Sequence, residues 1–284
     1  MPTVRELLRR GAEALSGVPG ADPALEARVL LRRTGRLTEL EILAYPDRPV
    51  TGRRERAFWA AVDARRSRRP LAYVIGEKEF WSIPMTVSPA ALIPRPESEL
   101  LVERVLGFCR RKDPLIVEIG TGSGCLAVAL AKELPGARIV ATDISRRALR
   151  LAASNAARHG ASNITFVRGR TYGPLRGRGL EGRADVVVSN PPYIAAEEWP
   201  SLPEDVRIFE PRRALVAGPT GLEAIRQLVR GGPRFLRRGG RLAFEIGAGQ
   251  ADGARPLFGR RWEEVEVSLD LGGRPRVVSA RLIA

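Results

Sequence analysis

The sequence predicts an α/β protein, a doubly wound and mostly parallel sheet of seven strands with a small helical bundle ahead of it. Three observations carry this expectation. From Leu115 onward, short Val- and Ile-rich runs alternate with amphipathic helical stretches. The first of those runs opens directly into a loop with three glycines. Before them, residues 3 to 66 have helical periodicity with polar residues at each start.

In chain order, Thr3 and Glu6 make a capping box ahead of Val4, Leu7, Leu8, Ala12 and Leu15, and Gly17 ends that helix. Asp22 followed by Pro23 opens a second helix with Leu25, Val29 and Leu30 inward and Gly35 as its stop. Thr38 with Glu41 opens a third, and Thr51 a fourth carrying Phe58, Ala61 and Val62. Residues 1 to 70 therefore form a helical bundle. It has no aromatic residues interleaved with basic ones, as a platform for single-stranded nucleic acid would, so a folding or interaction module is expected.

Residues 71 to 95 are proline-rich, aromatic and extended, with a hairpin expected through Phe80, Ile83, Met85 and Val87. Tyr73, Phe80 and Trp81 mark an ordered connector, because a disordered linker lacks such residues. Pro96 with Glu97 and Glu99 starts a helix through Leu100, Leu101, Val105 and Leu106, and with it a larger domain over residues 96 to 284. Strands are expected at 115 to 120, 138 to 143, 164 to 169, 185 to 190, 241 to 247, 265 to 269 and 277 to 283. Helices fit 125 to 134, 146 to 158, 222 to 236 and 250 to 258. The last two strands have no helix between them, so one runs antiparallel at or near an edge.

Composition removes several chemistries. The cysteines are Cys109 and Cys125, without a CxxC pair, and the only histidine is His159. No metal-ligand spacing and no Ser-His-Asp set exists. His159 precedes Gly160 at an expected helix end, where a cap or dipole contact fits it. The N-terminus MPTVRELLRR has charges where a signal peptide needs apolar residues, and no apolar run reaches spanning length. A soluble, cytoplasmic monomer is expected. The net charge of +15 suggests an acidic or nucleic-acid-rich partner, but the excess is almost wholly arginine spread along the chain, with no basic tail.

Two stretches carry the chemistry. The buried run Asp185 to Ser189 delivers Asn190, Pro191, Pro192 and Tyr193 to the carboxyl edge of the sheet, where open α/β sheets bind ligands. Neither proline has an N-H, and the Asn190 amide oxygen can turn inward, so this surface mainly accepts hydrogen bonds. Its guest is an NH2 on an sp2 carbon, as in adenine, cytosine or glutamine. The second stretch, VEIGTGSGCLAVALA at 117 to 131, is strand, glycine loop and helix. Its G-x-G-x-G spacing at Gly120, Gly122 and Gly124 departs from the dinucleotide fingerprint. Glu118 repels a pyrophosphate yet suits a ligand with both ammonium and carboxylate, and Asp143 ends the next strand where a carboxylate accepts ribose hydroxyls. A nucleoside bearing an amino acid, S-adenosyl-L-methionine, fits both.

With these residues in view, the chain resembles the release factor glutamine methyltransferase family. The resemblance rests on LIPRPESE at 92 to 99, YVIG with EF at 73 to 80, EIGTGSG at 118 to 124, TDIS with AL at 142 to 149, NPPY at 190 to 193, EPRRAL at 210 to 215, and EIG with Gln250 at 245 to 250. It implies a class I S-adenosylmethionine-dependent methyltransferase fold and methylation of the glutamine amide nitrogen in the Gly-Gly-Gln loop of class I peptide-chain release factors, with S-adenosyl-L-homocysteine as product. It implies cofactor contacts from Gly120, Thr121, Gly122, Ser123, Gly124, Asp143 and Asn190, to which the charge of Glu118 adds that residue, and a catalytic site at Asn190, Pro191, Pro192 and Tyr193. No direct nucleic-acid substrate and no membrane is expected. Ser98 replaces the usual threonine, and Arg170 with Thr171 replace an Asp-Trp or Asp-Leu pair, leaving Thr171 and Tyr172 as expected contacts on the adenine side. The alternatives are a ribosomal-protein glutamine methyltransferase and a DNA or RNA amino methyltransferase, the latter needing a recognition region for a flipped base.

Overall fold

The computed structural model describes residues 1 to 283. Ala284, where the sequence places the end of the larger domain, lies outside the described residues. The chain divides into two compact units, Met1–Glu77 with Pro203–Phe209, and Lys78–Leu202 with the chain from Glu210 onward.

The first unit contains α1 (Val4–Leu15), α2 (Pro23–Gly35), α3 (Glu39–Ala44), α4 (Arg53–Arg66) and α5 (Leu71–Ile75). Capping boxes at Thr3 and Thr38 open α1 and α3. The core is Val4, Leu7, Leu15, Leu30, Leu31, Phe58 and Val62. Three local expectations are corrected. Leu25 of α2 is 46% exposed while Glu26 is buried, because Glu26 pairs with Arg65 of α4 at 2.7 Å and both are shielded from water. The left-handed residue ending α2 is Arg36, φ 50°, and Gly35 stays helical, packed on Leu37. The cap of α4 is Gly52 instead of Thr51, with no side-chain cap bond. A later segment also belongs to this unit, where Glu204 pairs with Arg68.

The strands β1 (Glu77–Phe80) and β2 (Ile83–Thr86) pair as the expected hairpin. Onward, α6 (Glu99–Phe108) leads to β3 (Leu115–Ile119), α7 (Cys125–Glu133), β4 (Arg138–Asp143), α8 (Arg146–Arg158), β5 (Ile164–Arg168) and β6 (Ala184–Ser189). After β6 come β7 (Ile194–Ala195), α9 (Glu204–Phe209, in the first unit), β8 (Val216–Gly218), α10 (Glu223–Phe235) and β9 (Leu236–Glu245). The chain ends with α11 (Ala251–Ala254), β10 (Trp262–Leu269) and β11 (Pro275–Leu282). The seven-stranded sheet has the order β10-β11-β9-β6-β3-β4-β5. Its pairs from β9 to β5 are parallel, and β11 runs antiparallel to both neighbours.

Alternation along each strand feeds two cores. Ile116, Ile139, Val186 and Val188 face one side with α6 and α7 residues, while Val117, Val140 and Val187 face the other with Ile225 and Leu228 of α10. Both faces are covered, which is why the centres of these strands are apolar. The pair β7 and β8 was not foreseen, and the helix expected at 250 to 258 is one α turn followed by a 3-10 turn at Arg255–Leu257. Among the described residues, no helix is long and apolar enough to cross a membrane.

Candidate active site

The carboxyl ends of β3, β4 and β6 open into a cavity of about 550 Å³. The turn after β3 borders it with Gly120 and Gly122, whose φ values are 77° and 57°. A Cβ at Gly120 would meet nothing within 4 Å, so absent side chains leave open space against the backbone. Gly124 differs. It does not line the cavity, and its Cβ would lie 2.8 Å from Ala152 Cβ, so this glycine lets α7 approach α8. Asn155 of α8 fastens the loop from behind, donating to the Ser123 carbonyl at 2.9 Å and exchanging two hydrogen bonds with the Thr86 backbone.

Two carboxylates sit at the strand ends. Glu118 is 2% exposed and accepts the Thr121 hydroxyl at 2.7 Å. Burial pushes its pKa up to about 7, against the Thr121 hydrogen bond and with help from the nearby charge of Asp143. An ammonium beside it would restore the charged form. Asp143 accepts Gly122 N-H at 3.0 Å and Ser145 N-H at 2.8 Å, one on each oxygen. Each oxygen keeps a further lone pair, which suits a pair of vicinal hydroxyls. Ile144, 51% exposed, and Thr171 also line the cavity, and these residues fit a nucleoside bearing an amino acid.

Asn190, Pro191 and Pro192 line the same cavity. The Ser189 hydroxyl donates to the Ile119 carbonyl at 2.7 Å, locking the ends of β6 and β3 together. The Asn190 NH2 donates to Ser98 Oγ at 2.8 Å, and the Ser98 hydroxyl donates to Glu245 Oε2 at 2.5 Å. The Tyr193 hydroxyl donates to the other Glu245 oxygen at 3.3 Å. Gln250 donates to the Tyr193 carbonyl at 2.8 Å and accepts Gly247 N-H at 3.0 Å. Burial also raises the Glu245 pKa, while Ser98, Arg276 and Tyr193 lower it and Glu97 raises it.

The expected site residues are mostly brought together, but two rings are not. Tyr172 is 6% exposed, stacks on Phe235 at 5.1 Å, and donates to the Leu228 carbonyl at 3.0 Å. It is a core residue turned away from the cavity, held there because α10 carries Gly231, where a Cβ would lie 2.3 Å from the Tyr172 ring. Tyr193 likewise does not line the cavity. Sequence reading gave no role to Glu210 or Glu245, although both lie in recognised motifs. Glu210 is buried and accepts Ile93 N-H at 3.1 Å and Arg95 Nη2 at 2.5 Å, tying the two motifs together at the cavity rim. A carboxylate in an apolar strand, as at Glu245, was the available signal.

Comparison with known proteins places these features in a family. Residues 6–76 match the PrmC N-terminal domain and residues 96–203 the methyltransferase small domain. A release factor glutamine methyltransferase of Moorella thermoacetica is 41% identical over 281 residues, covering 96% of each chain. The relative of the same name from Nitratidesulfovibrio vulgaris is 40% identical, covering 98% of this chain and 95% of its own. Among solved structures, a methyltransferase from Pyrococcus furiosus superposes with a TM-score of 0.52 at 18% identity, over 78% of this chain and 100% of its own, a likeness of fold.

Proposed function

The chain belongs to the release factor glutamine methyltransferase family, and from that premise we propose that it methylates the side-chain amide nitrogen of the glutamine in the Gly-Gly-Gln loop of class I peptide-chain release factors. The donor in this reading is S-adenosyl-L-methionine, and the place of action is the cytoplasm. When bound, the donor supplies a methyl group on a positively charged sulfur, a strong electrophile that needs alignment more than activation.

The observation that carries the reading is the orientation of Asn190. Its NH2 is committed to Ser98, so its oxygen is the end left for the cavity. Beside it stand two prolines whose nitrogens cannot donate. Such a surface holds the two hydrogens of a substrate amide, raises electron density on a nitrogen whose lone pair is otherwise delocalised, and aims it. Glu118 would hold the donor's ammonium, Asp143 its ribose hydroxyls, and Gly120 with Gly122 would leave room for its amino-acid moiety. Arg95 and Arg213 line the same cavity and would face the substrate loop.

Transfer of a tritiated methyl group, offered in parallel to release factors, ribosomal proteins, DNA and RNA, tests the reading. Label on the release factors, lost when the Gly-Gly-Gln glutamine is changed, is the expected result. Label on ribosomal protein or nucleic acid in its place would overturn it.

A further inference from the structure

The chain of hydrogen bonds behind Asn190 ends on a carboxylate that does not line the cavity. We propose that Glu245 is a positioning residue: acting through Ser98, it holds the Asn190 amide oxygen towards the cavity and so sets the preference of the site for an amide over a carboxylate. The inference rests on the reading of the site given above.

The direction of each bond follows from proton counting. Glu245 as a carboxylate has no hydrogen to give, so both groups that face its oxygens must donate. They are the hydroxyls of Ser98 and Tyr193. Ser98 has one proton and has given it to Glu245, so its lone pairs can only accept. Of the two ends of the Asn190 amide, only the NH2 can satisfy them, and it lies 2.8 Å away. The oxygen is thereby turned to the cavity. Glu245 and Ser98 are 1% and 4% exposed, so water does not compete for these bonds.

A donor at position 245 would reverse the relay. An uncharged amide there can donate to Ser98, the Ser98 hydroxyl then turns to donate to the Asn190 oxygen, and the NH2 of Asn190 turns to the cavity. A surface built to accept from an amide would become one that donates to a carboxylate. Burial raises the Glu245 pKa and the nearby charge of Glu97 adds to the rise, while the Ser98 hydrogen bond, Arg276 and the Tyr193 hydrogen bond lower it, so the relay belongs to the ionised form that these three partners support.

The test uses the full chain and variants Glu245→Gln, Ser98→Ala and Ser98→Thr. The sequence has three asparagines, Asn155, Asn163 and Asn190, so selective 15N labelling of Asn isolates the Asn190 NH2 signal. That NH2 is expected to be protected from solvent exchange in the wild type and in Ser98→Thr, and to lose protection in Ser98→Ala and Glu245→Gln. In parallel, binding and methyl transfer are measured with release factors bearing Gln or Glu at the loop tip. Glu245→Gln is expected to lower kcat on the Gln factor and to shift relative affinity towards the Glu factor by about tenfold or more, with donor affinity unchanged, the scale of one misdirected polar contact. Ser98→Thr should retain wild-type values. Equal weakening for both factors with an unaltered Asn190 signal would mean a merely structural carboxylate and would overturn the inference. Wild-type protein that methylates no release factor, yet shows the Asn190 changes, would overturn the reading of function and leave the relay standing.

Discussion

At the scale of single residues, the cavity separates two duties that mutation can tell apart. Asn190→Ala removes the acceptor for the substrate and is expected to lower kcat by about 100-fold or more, with donor affinity kept within an order of magnitude. Asp143→Ala removes a carboxylate that two charge-assisted hydrogen bonds would use, worth about 2 to 3 kcal/mol, so the Kd for the donor should rise tenfold or more. Calorimetry beside kinetics reads both, and equal losses in both variants would merge the two duties. Glu118 gives a prediction of stability against pH. Its folded pKa of about 7 lies above the unfolded 4.5, so the folded state holds the extra proton. That contribution is fully present below pH 4.5 and is lost as pH rises through 7. Glu118→Gln should therefore stabilise the ligand-free protein at pH 8, by about 3 kcal/mol at most, and make no difference near pH 4. Melting curves at the two pH values decide it, and a gain independent of pH would place the burial penalty elsewhere.

At the scale of elements, the glycine loop shows one sequence pattern serving two purposes. Gly124→Ala puts a methyl 2.8 Å from Ala152 Cβ at φ 80°, and about 1 to 3 kcal/mol of strain and overpacking should appear as a lower Tm. Gly120→Ala carries the strain of φ 77° but has space for the methyl, so its Tm should fall less than that of Gly124→Ala while donor affinity is lost. An equal fall in Tm for both would contradict the division. The sheet was legible because buried parallel strands have Val- and Ile-rich centres, such as Val186 to Val188 in β6, and the bounds of β4 and α8 coincide with their expected ones. The start of β9 was not. Gly239 and Gly240 resemble a turn in sequence, yet β9 runs through them from Leu236, and its register with β6 slips between Ala184 and Val186. Gly240 is needed there because a Cβ would lie 2.9 Å from the Ala184 carbonyl. A bulge and a turn use the same residues, and only the neighbouring strand distinguishes them.

At the scale of the whole molecule, function was legible where neighbours in sequence are neighbours in space, as in the glycine loop and NPPY. It was hidden where partners are distant. Ser98 with Glu245, Glu210 with Ile93, and Asn155 with Thr86 are each joined across long stretches of chain, and no local pattern marks such pairs. The arginine-rich composition, net +15, is a property of the whole chain and leaves the substrate undecided. The measurement that decides the central claim is methyl transfer to one release factor bearing Gln, Asn or Glu at the tip of its Gly-Gly-Gln loop, with binding followed separately. An acceptor surface should reject the Glu version by about 10,000-fold or more, because a carboxylate brings lone pairs where hydrogens are required. The Asn version keeps its NH2 but stops one methylene short, so it should bind and fail in alignment. Comparable methylation of the Glu version would make this an ester-forming carboxyl methyltransferase and would contradict the account of Asn190.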